Sequence, residues 1–254
     1  MPLPDGIDWV TGASSGIGRA LALKLAREGR SVVASARDAK ALDSLSAEAA
    51  VLPGRILALP LDITDSAAVD AAVARIEGEV GPLGLAVLNA GTHKPVFAKT
   101  LDLDDFRLLV EVNLLGTLAC LTAALRPMQE RGQGQIAVVA SVAGYFGLPT
   151  SAAYGMTKAG LINMTQALQP ELAAQGIALQ LVNPGFVKTP LTDKNRFPMP
   201  FLMPVDKAVD RLYRGLQSGR FEIVFPRRLA MILRVLRALP MGWALRITKR
   251  MTPK

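Results

Sequence analysis

The chain has 254 residues, half of them apolar and a fifth charged, which is enough for a sizeable core and excludes a disordered polymer. A single cysteine, Cys120, excludes an intrachain disulfide framework and fits a reducing compartment; with one histidine, His93, no metal site is expected. The net charge of +8 is concentrated in residues 207–254, which hold 12 Lys and Arg against 2 Asp and Glu, while residues 1–206 hold 17 against 19.

Met1–Gly6 shows neither a basic region nor an apolar core, so no secretory leader is expected. The uncharged stretch from Gly132 to Thr157 is broken by Gly, Gln, Ser and Pro, and no run of about 18 apolar residues is recognised. A cytoplasmic placement is anticipated.

The first strand is expected at Ile7–Val10, where Asp8 fits burial badly. It runs into the turn Thr11-Gly12-Ala13-Ser14-Ser15-Gly16-Ile17-Gly18, which opens a helix ending near Gly29. Gly12 permits a tight turn. Gly16 and Gly18 remove side chains where backbone must approach a pyrophosphate, and the helix N-terminus offers free N–H groups and a positive dipole end. The second strand, Ser31–Ala36, precedes a helix over Ala39–Ala50. An acid at the end of this strand would bind the ribose hydroxyls of NAD; here Arg37 stands there instead. A guanidinium can fork onto a 2′-phosphate, with Ser14 adding a hydrogen bond, so NADP(H) is the expected cofactor. Asp38 keeps NAD(H) as the alternative.

The third strand, Arg55–Leu61, is followed by Asp62 and Ile63 and a helix over Ser66–Val80. The fourth, Leu85–Leu88, is followed by Asn89, Ala90 and Gly91. Both sets fall at carboxyl ends of strands, where open α/β sheets bind ligands. A long helix is expected over Asp105–Arg131, then a fifth strand at Gln135–Ser141, a helix over Ala152–Gln175, a sixth strand at Ile177–Val182 and a seventh at Glu222–Phe225. The strands are continuous apolar runs, as buried parallel strands are. Their alternation with helices implies right-handed βαβ units. The expected fold is a three-layer α/β/α, Rossmann-like doubly wound sandwich with a mainly parallel sheet of about seven strands. No linker or repeat divides it, so one domain is anticipated over 1–254.

Tyr154 and Lys158 are spaced i, i+4, which puts phenol and ammonium on one helix face. A free tyrosine is a poor base at neutral pH, and a nearby cation favours its phenolate. Tyr154 is therefore expected to pass a proton to a carbonyl oxygen or take one from an alcohol. Ser141, ending the fifth strand, would hydrogen-bond the same oxygen. Asn113 would hold a water behind Lys158 for proton relay.

The glycine turn, Asn89-Ala90-Gly91, Asn113, Ser141, Tyr154, Lys158 and Asn183-Pro184-Gly185 stand in an order and spacing that resemble the short-chain dehydrogenase/reductase family over about residues 5–190. The resemblance implies an oxidoreductase interconverting an alcohol and a ketone or aldehyde by hydride transfer at the nicotinamide. It assigns Ser141, Tyr154, Lys158 and Asn113 to catalysis. It places Asp62, Ile63 and Asn89–Gly91 around the adenine and cofactor cleft, Lys158 on the nicotinamide ribose, and Pro184, Gly185, Val187 and Thr189 beside the nicotinamide. The family often has two asparagines and a preceding aspartate where this chain has Leu88-Asn89 and Gly84. The resemblance also implies a substrate lid at about 190–215, and a homodimer or homotetramer built on the helices matching Asp105–Arg131 and Ala152–Gln175. The apolar lid residues Phe197, Met199, Phe201, Leu202 and Met203, with Tyr145, Phe146 and Leu148 as further walls, favour a hydrophobic, lipid-like substrate.

Arg227–Leu239 places Leu229, Ile232, Leu233, Leu236 and Leu239 on one stripe and Arg227, Arg228, Arg234 and Arg237 opposite. This basic amphipathic extension, about 226–254, either packs on the body with a solvated basic face or docks on an anionic membrane surface, the inner face being the natural one. Two other functions remain open: a non-catalytic NADP-binding regulator, which the complete Ser141/Tyr154/Lys158 set disfavours, and nucleic-acid binding by the basic tail. That tail lacks interleaved aromatics beyond Trp243, so no nucleic-acid partner is expected.

Overall fold

A computed structural model describes residues 2–193 and 198–251. Seven strands form one sheet in the order β3-β2-β1-β4-β5-β6-β7, and every adjacent pair is parallel. They are β1 (Ile7–Thr11), β2 (Ser31–Ala36), β3 (Arg55–Pro60), β4 (Leu83–Leu88), β5 (Gly134–Val139), β6 (Ile177–Pro184) and β7 (Glu222–Phe225). β1, β4 and β5 are buried throughout, as central parallel strands covered on both faces must be. One face carries α1 (Gly16–Arg27), α2 (Ala39–Ala49) and α7 (Val205–Leu216), over a core of Leu21, Leu25, Leu42, Leu45 and Leu212. The other carries α3 (Ser66–Arg75), α4 (Leu103–Val110), α5 (Gly116–Arg131) and α6 (Ala152–Ala174), over Trp9, Ile76, Leu121, Met128 and Leu161. The order reverses between β1 and β4, which opens a crevice at their carboxyl ends.

Asp8 is wholly buried in β1, and the structure supplies the reason for its presence. Arg30, from the α1–β2 turn, donates from Nε at 2.5 Å and from Nη2 at 2.6 Å to the two carboxylate oxygens, and from Nη2 to the Pro4 carbonyl at 2.7 Å. Burial raises the Asp8 carboxyl and the guanidinium opposes that rise. Removing one partner of such a pair costs on the order of 3–5 kcal/mol, because the survivor is left charged and buried. The pair therefore fixes the entry of β1 against β2.

Several boundaries differ from the sequence expectation. The long helix starts at Leu103 and is not continuous: a π-turn at Glu111–Leu115 separates α4 from α5. By length and composition the segment Leu103–Arg131 is apolar enough to cross a membrane, yet it packs along β4, β5 and α3. The helix after β3 likewise passes into a π-turn at Ile76–Val80. The stretch assigned to the lid divides. α7 fills its second half and packs Ala208, Val209 and Leu212 against the core, so those residues are no lid. Ahead of it, the loop is tied at its base by pairing of Val187 with Met203. Met203 is buried there, Met199 is half-buried, and Phe201 and Leu202 are exposed; Phe197 lies outside the described residues.

The C-terminal extension forms α8 (Arg227–Ala238) and α9 (Met241–Lys249). Leu229, Leu233 and Leu236 of the expected stripe are buried in the core, whereas Ile232 is exposed. The leucine side of the helix packs on the body.

Candidate active site

The turn after β1 has the backbone that its glycines allow. Gly12 and Gly16 sit at φ 68° and 56°, the left-handed region that L side chains resist. At Gly18 a Cβ would stand 2.4 Å from the Gly12 carbonyl oxygen and 2.6 Å from Asn89 Nδ2. The glycine lets α1 press against the strand ends. Ser15 is the N-cap of α1 but makes no side-chain cap bond, so that residue leaves the first N–H groups of α1 to another acceptor. Ser14 is half-buried beside it, and Ile17 lines the cleft. A glycine-shaped turn at an uncapped helix N-terminus fits a pyrophosphate.

Thr11 and Asn89 hold the two sides of the switch point together. The Thr11 hydroxyl accepts from Asn89 N at 3.0 Å and Ala90 N at 3.1 Å, and Asn89 Nδ2 donates to the Thr11 and Gly12 carbonyls at 3.0 and 3.3 Å. One asparagine thus bridges β4 to the turn after β1. Gly91 lies against both Asn113 and Lys158: a Cβ would come within 3.1 Å of Asn113 Oδ1 and 3.6 Å of Lys158 Nζ.

At the rim, Arg37 is exposed just beyond β2. Asp62 is held below the usual carboxylate range by the N–H and hydroxyl of Thr64, with burial opposing and Arg37 adding its charge. Ile63 is buried and packs on Gly116. Asp38 accepts from Ala41 N at 3.0 Å as the N-cap of α2, so its carboxylate is already engaged.

A cleft of about 120 Å³ is lined by Ile17, Asn89, Gly91, Ser141, Tyr154, Lys158, Pro184, Gly185, Val187 and Thr189, all expected at the site. Thr92, Val139, Ala140, Leu191 and Thr192 line it too, and sequence reasoning did not single them out. Thr192 donates to the Val187 carbonyl at 2.7 Å and accepts from Thr189 N at 3.0 Å, shaping the strip that follows β6.

The Ser141 hydroxyl donates to the Pro184 carbonyl at 3.3 Å and accepts from Ala143 N at 3.1 Å. Lys158, on α6, is 4 % exposed and donates from Nζ to the Val139 carbonyl at 3.0 Å. Burial pulls its ammonium down from 10.5 to about 8. Tyr154 differs from expectation: burial raises its phenol, and the opposing influence is a hydrogen bond with Ser141, not the lysine. The reason is geometric. The ammonium lies 5.7 Å from the ring centroid and is directed at a strand carbonyl. His93, considered in the sequence only as a metal ligand, meets the Tyr154 ring edge-on at 4.8 Å. Its position three residues after Asn89-Ala90 was the available signal.

Asn113 sits in the π-turn between α4 and α5, fully buried. Its Oδ1 accepts from Thr92 N at 2.8 Å, while Nδ2 donates to the Thr92 carbonyl at 3.0 Å and to Thr157 Oγ1 at 3.2 Å. The side chain fastens the loop after β4 to α6, one residue from Lys158.

Tyr145, Phe146 and Leu148 are not walls of the cleft. The Tyr145 hydroxyl donates to Glu222, which also accepts from Arg234 of α8 and, at 2.8 Å, from Asn183 Nδ2. Phe146 and Leu148 pack with the core that includes Leu229 and Leu233. They brace α8 against the sheet edge.

A doubly wound sheet with a glycine-shaped switch point and a serine, tyrosine and lysine lining one cleft has the architecture of nucleotide-binding α/β proteins. The family model for short chain dehydrogenases matches residues 8–198. The chain is 39 % identical over 231 residues to an uncharacterized oxidoreductase of Myxococcus xanthus, covering 91 % of each chain. It is 34 % identical over 221 residues to the 3-oxoacyl-(acyl-carrier-protein) reductase of Thermotoga maritima, covering 87 % of this chain and 86 % of that one. A solved short-chain dehydrogenase from Sphingobium yanoikuyae, in complex with NADPH, superposes with a TM-score of 0.82 at 27 % identity, covering 94 % of this chain and 95 % of the other. The chain belongs to the short chain dehydrogenase family and is an oxidoreductase.

Proposed function

We propose that the protein is an NADP(H)-dependent carbonyl reductase acting on a hydrophobic ketone or aldehyde, with Tyr154 as the general acid. The observation that carries this reading is the convergence of Ser141, Tyr154 and Lys158 on one cleft whose other walls include Ile17, Val139, Ala140, Val187 and Leu191. The turn Gly12–Gly18 and the α1 N-terminus would hold the pyrophosphate, Arg37 and Ser14 the 2′-phosphate, Asp62 and Ile63 the adenine side, and Pro184–Thr189 the nicotinamide side. When bound, the nicotinamide nucleotide supplies the hydride chemistry.

The chain's own residues supply the proton. Burial keeps the Tyr154 phenol protonated at neutral pH, which suits a donor to a carbonyl oxygen more than a base. Ser141 lines the cleft beside that phenol and would orient the oxygen. Lys158, with an ammonium titrating at about 8, can lose and regain a proton near physiological pH and so re-protonate the phenol. Asn113 and Thr157 fix the wall behind it, a positioning role rather than a water relay through the Asn113 amide. The Thermotoga relative's named reaction is itself a carbonyl reduction, which supports the direction.

Leu108, Leu115 and Leu118 on the α4–α5 segment and Met156 on α6 are exposed, and this apolar strip supports a homodimer through these helices.

The test is Tyr154→Phe, assayed by NADPH consumption on a panel of ketones, aldehydes and 3-oxoacyl thioesters. Turnover should fall about 10²–10⁴-fold with NADPH affinity unchanged. Activity within about tenfold of wild type would remove Tyr154 from the role.

A further inference from the structure

We propose that α8 and α9 form a docking surface for an anionic lipid bilayer, with Met231, Ile232, Val235 and Trp243 entering the interface and the surrounding cations at the headgroups. The leucine side of α8 is spent on the core: Leu229, Leu233 and Leu236 are buried. The opposite side is not polar. Met231, Ile232 and Val235 are all more than half exposed and are interleaved, at i, i+4 spacings, with Arg227 and Arg228. In α9 only Ala244 and Thr248 are buried, which leaves Met241, Trp243, Leu245 and Ile247 in the open; Trp243 is 63 % exposed. Seven large apolar side chains thus stand exposed between residues 231 and 247, a concentration of the kind that marks an interaction surface.

Charge decides which occupant fits. No Asp or Glu follows Glu222 in the sequence. Glu222 itself is taken by Tyr145, Asn183 and Arg234. Among the described residues Arg227, Arg228, Arg237, Arg246, Lys249 and Arg250 form no ion pair. A second copy of the chain would bring the same cations face to face across an apolar contact, which is repulsive. An anionic bilayer accepts both halves of the pattern: phosphates for the cations, acyl boundary for Met, Ile and Val, and the headgroup level for an indole. The surface adjoins the cleft, because Gly185, which lines it, packs under Leu229 and Pro226 at the start of α8. The inference stands on α8 and α9 alone and does not depend on the proposed reaction.

The full-length protein is tested by co-sedimentation with vesicles of phosphatidylcholine alone and of phosphatidylcholine with phosphatidylglycerol, at low and high salt. The chain has two tryptophans, and Trp9 is wholly buried in β1, so a blue shift of emission on vesicle addition reports Trp243. The expected result is binding to the anionic vesicles only, a blue shift, and a fraction that survives high salt. Ile232→Ser with Trp243→Ser should lower partitioning at least about tenfold while leaving the melting temperature and NADPH affinity unchanged. Arg228→Gln with Arg246→Gln and Arg250→Gln should remove the preference for anionic vesicles. Four results would overturn the proposal: no binding to anionic vesicles at low salt; binding without a blue shift that vanishes at high salt; undiminished binding in the Ile232/Trp243 variant; or conversion of a dimer to a monomer by that variant, which would show that a second copy covers the face.

Discussion

Replacing Lys158 by Met should stabilise the fold while disabling the site. The lysine is 4 % exposed and its ammonium titrates at about 8 instead of 10.5, with burial as the cause. Each tenfold change in proton affinity corresponds to ~1.4 kcal/mol, so holding the charge inside costs the folded chain roughly 3 kcal/mol at pH 7. Methionine removes that cost and fits the space, but it forfeits the hydrogen bond to the Val139 carbonyl, worth about 1 kcal/mol. The net gain is about 2 kcal/mol, or roughly 4–8 °C in melting temperature for a chain of this size. The pH dependence gives a sharper test. Because the folded state holds the proton less tightly than the unfolded state, wild-type stability rises as pH increases from about 8 to 10.5, while the variant lacks that titration. The variant's advantage should therefore be largest at pH 7 and fade by pH 10. Thermal melts of both proteins without nucleotide, with turnover measured in parallel, decide it. A variant less stable than wild type at pH 7, or a difference in melting temperature that does not change with pH, would refute the reasoning.

The exposed guanidinium of Arg37 should make NADPH bind more tightly than NADH, and Arg37→Asp should cost NADPH about 10–100-fold while sparing or improving NADH. Dissociation constants for both nucleotides on both proteins check this, and equal wild-type affinities would contradict it. The strip of Leu108, Leu115, Leu118 and Met156 should hold two copies together at micromolar concentration, and Leu118→Asp should dissociate them. Sedimentation velocity reads the outcome, and a wild-type monomer would rule out this interface.

What could be read in advance depended on how local the cause was. Apolar runs located all seven strands; for the central β1, β4 and β5 continuous burial is the cause, while the half-exposed edge strands β3 and β7 keep a largely apolar run. Asp8 was opaque because its partner, Arg30, is 22 residues away and meets it only after α1 has crossed the sheet. α7 carried its own signature, with Ala208, Leu212 and Leu216 at i, i+4 spacing, but its Asp and Arg residues and its position after an expected lid concealed a helix packed on α1. The π-turn at Glu111–Leu115 has no hydrophobic period that differs from an α-helix over five residues, so the break that seats Asn113 was invisible.

The same distinction runs through the site. Residue order and strand ends were enough to bring Ser141, Tyr154 and Lys158 together, since an i, i+4 pair on one helix and a residue at a strand end are local statements. How the three tune one another is not local. Spacing alone suggested that Lys158 lowers the Tyr154 phenol. The fold turns the ammonium of the buried Lys158 to Val139 and leaves Ser141 as the influence opposing the desolvation of the half-buried Tyr154. Tyr145 shows the reverse case: an aromatic near Ser141 reads as substrate wall, but Glu222, 77 residues later, captures its hydroxyl and makes it a strut for α8. A buried polar group takes the partner that the tertiary fold brings within reach, since leaving it unpaired costs more than any local preference can return. In this family member the sequence therefore names the groups proposed to react, whereas their protonation and the side of α8 left exposed are properties of packing.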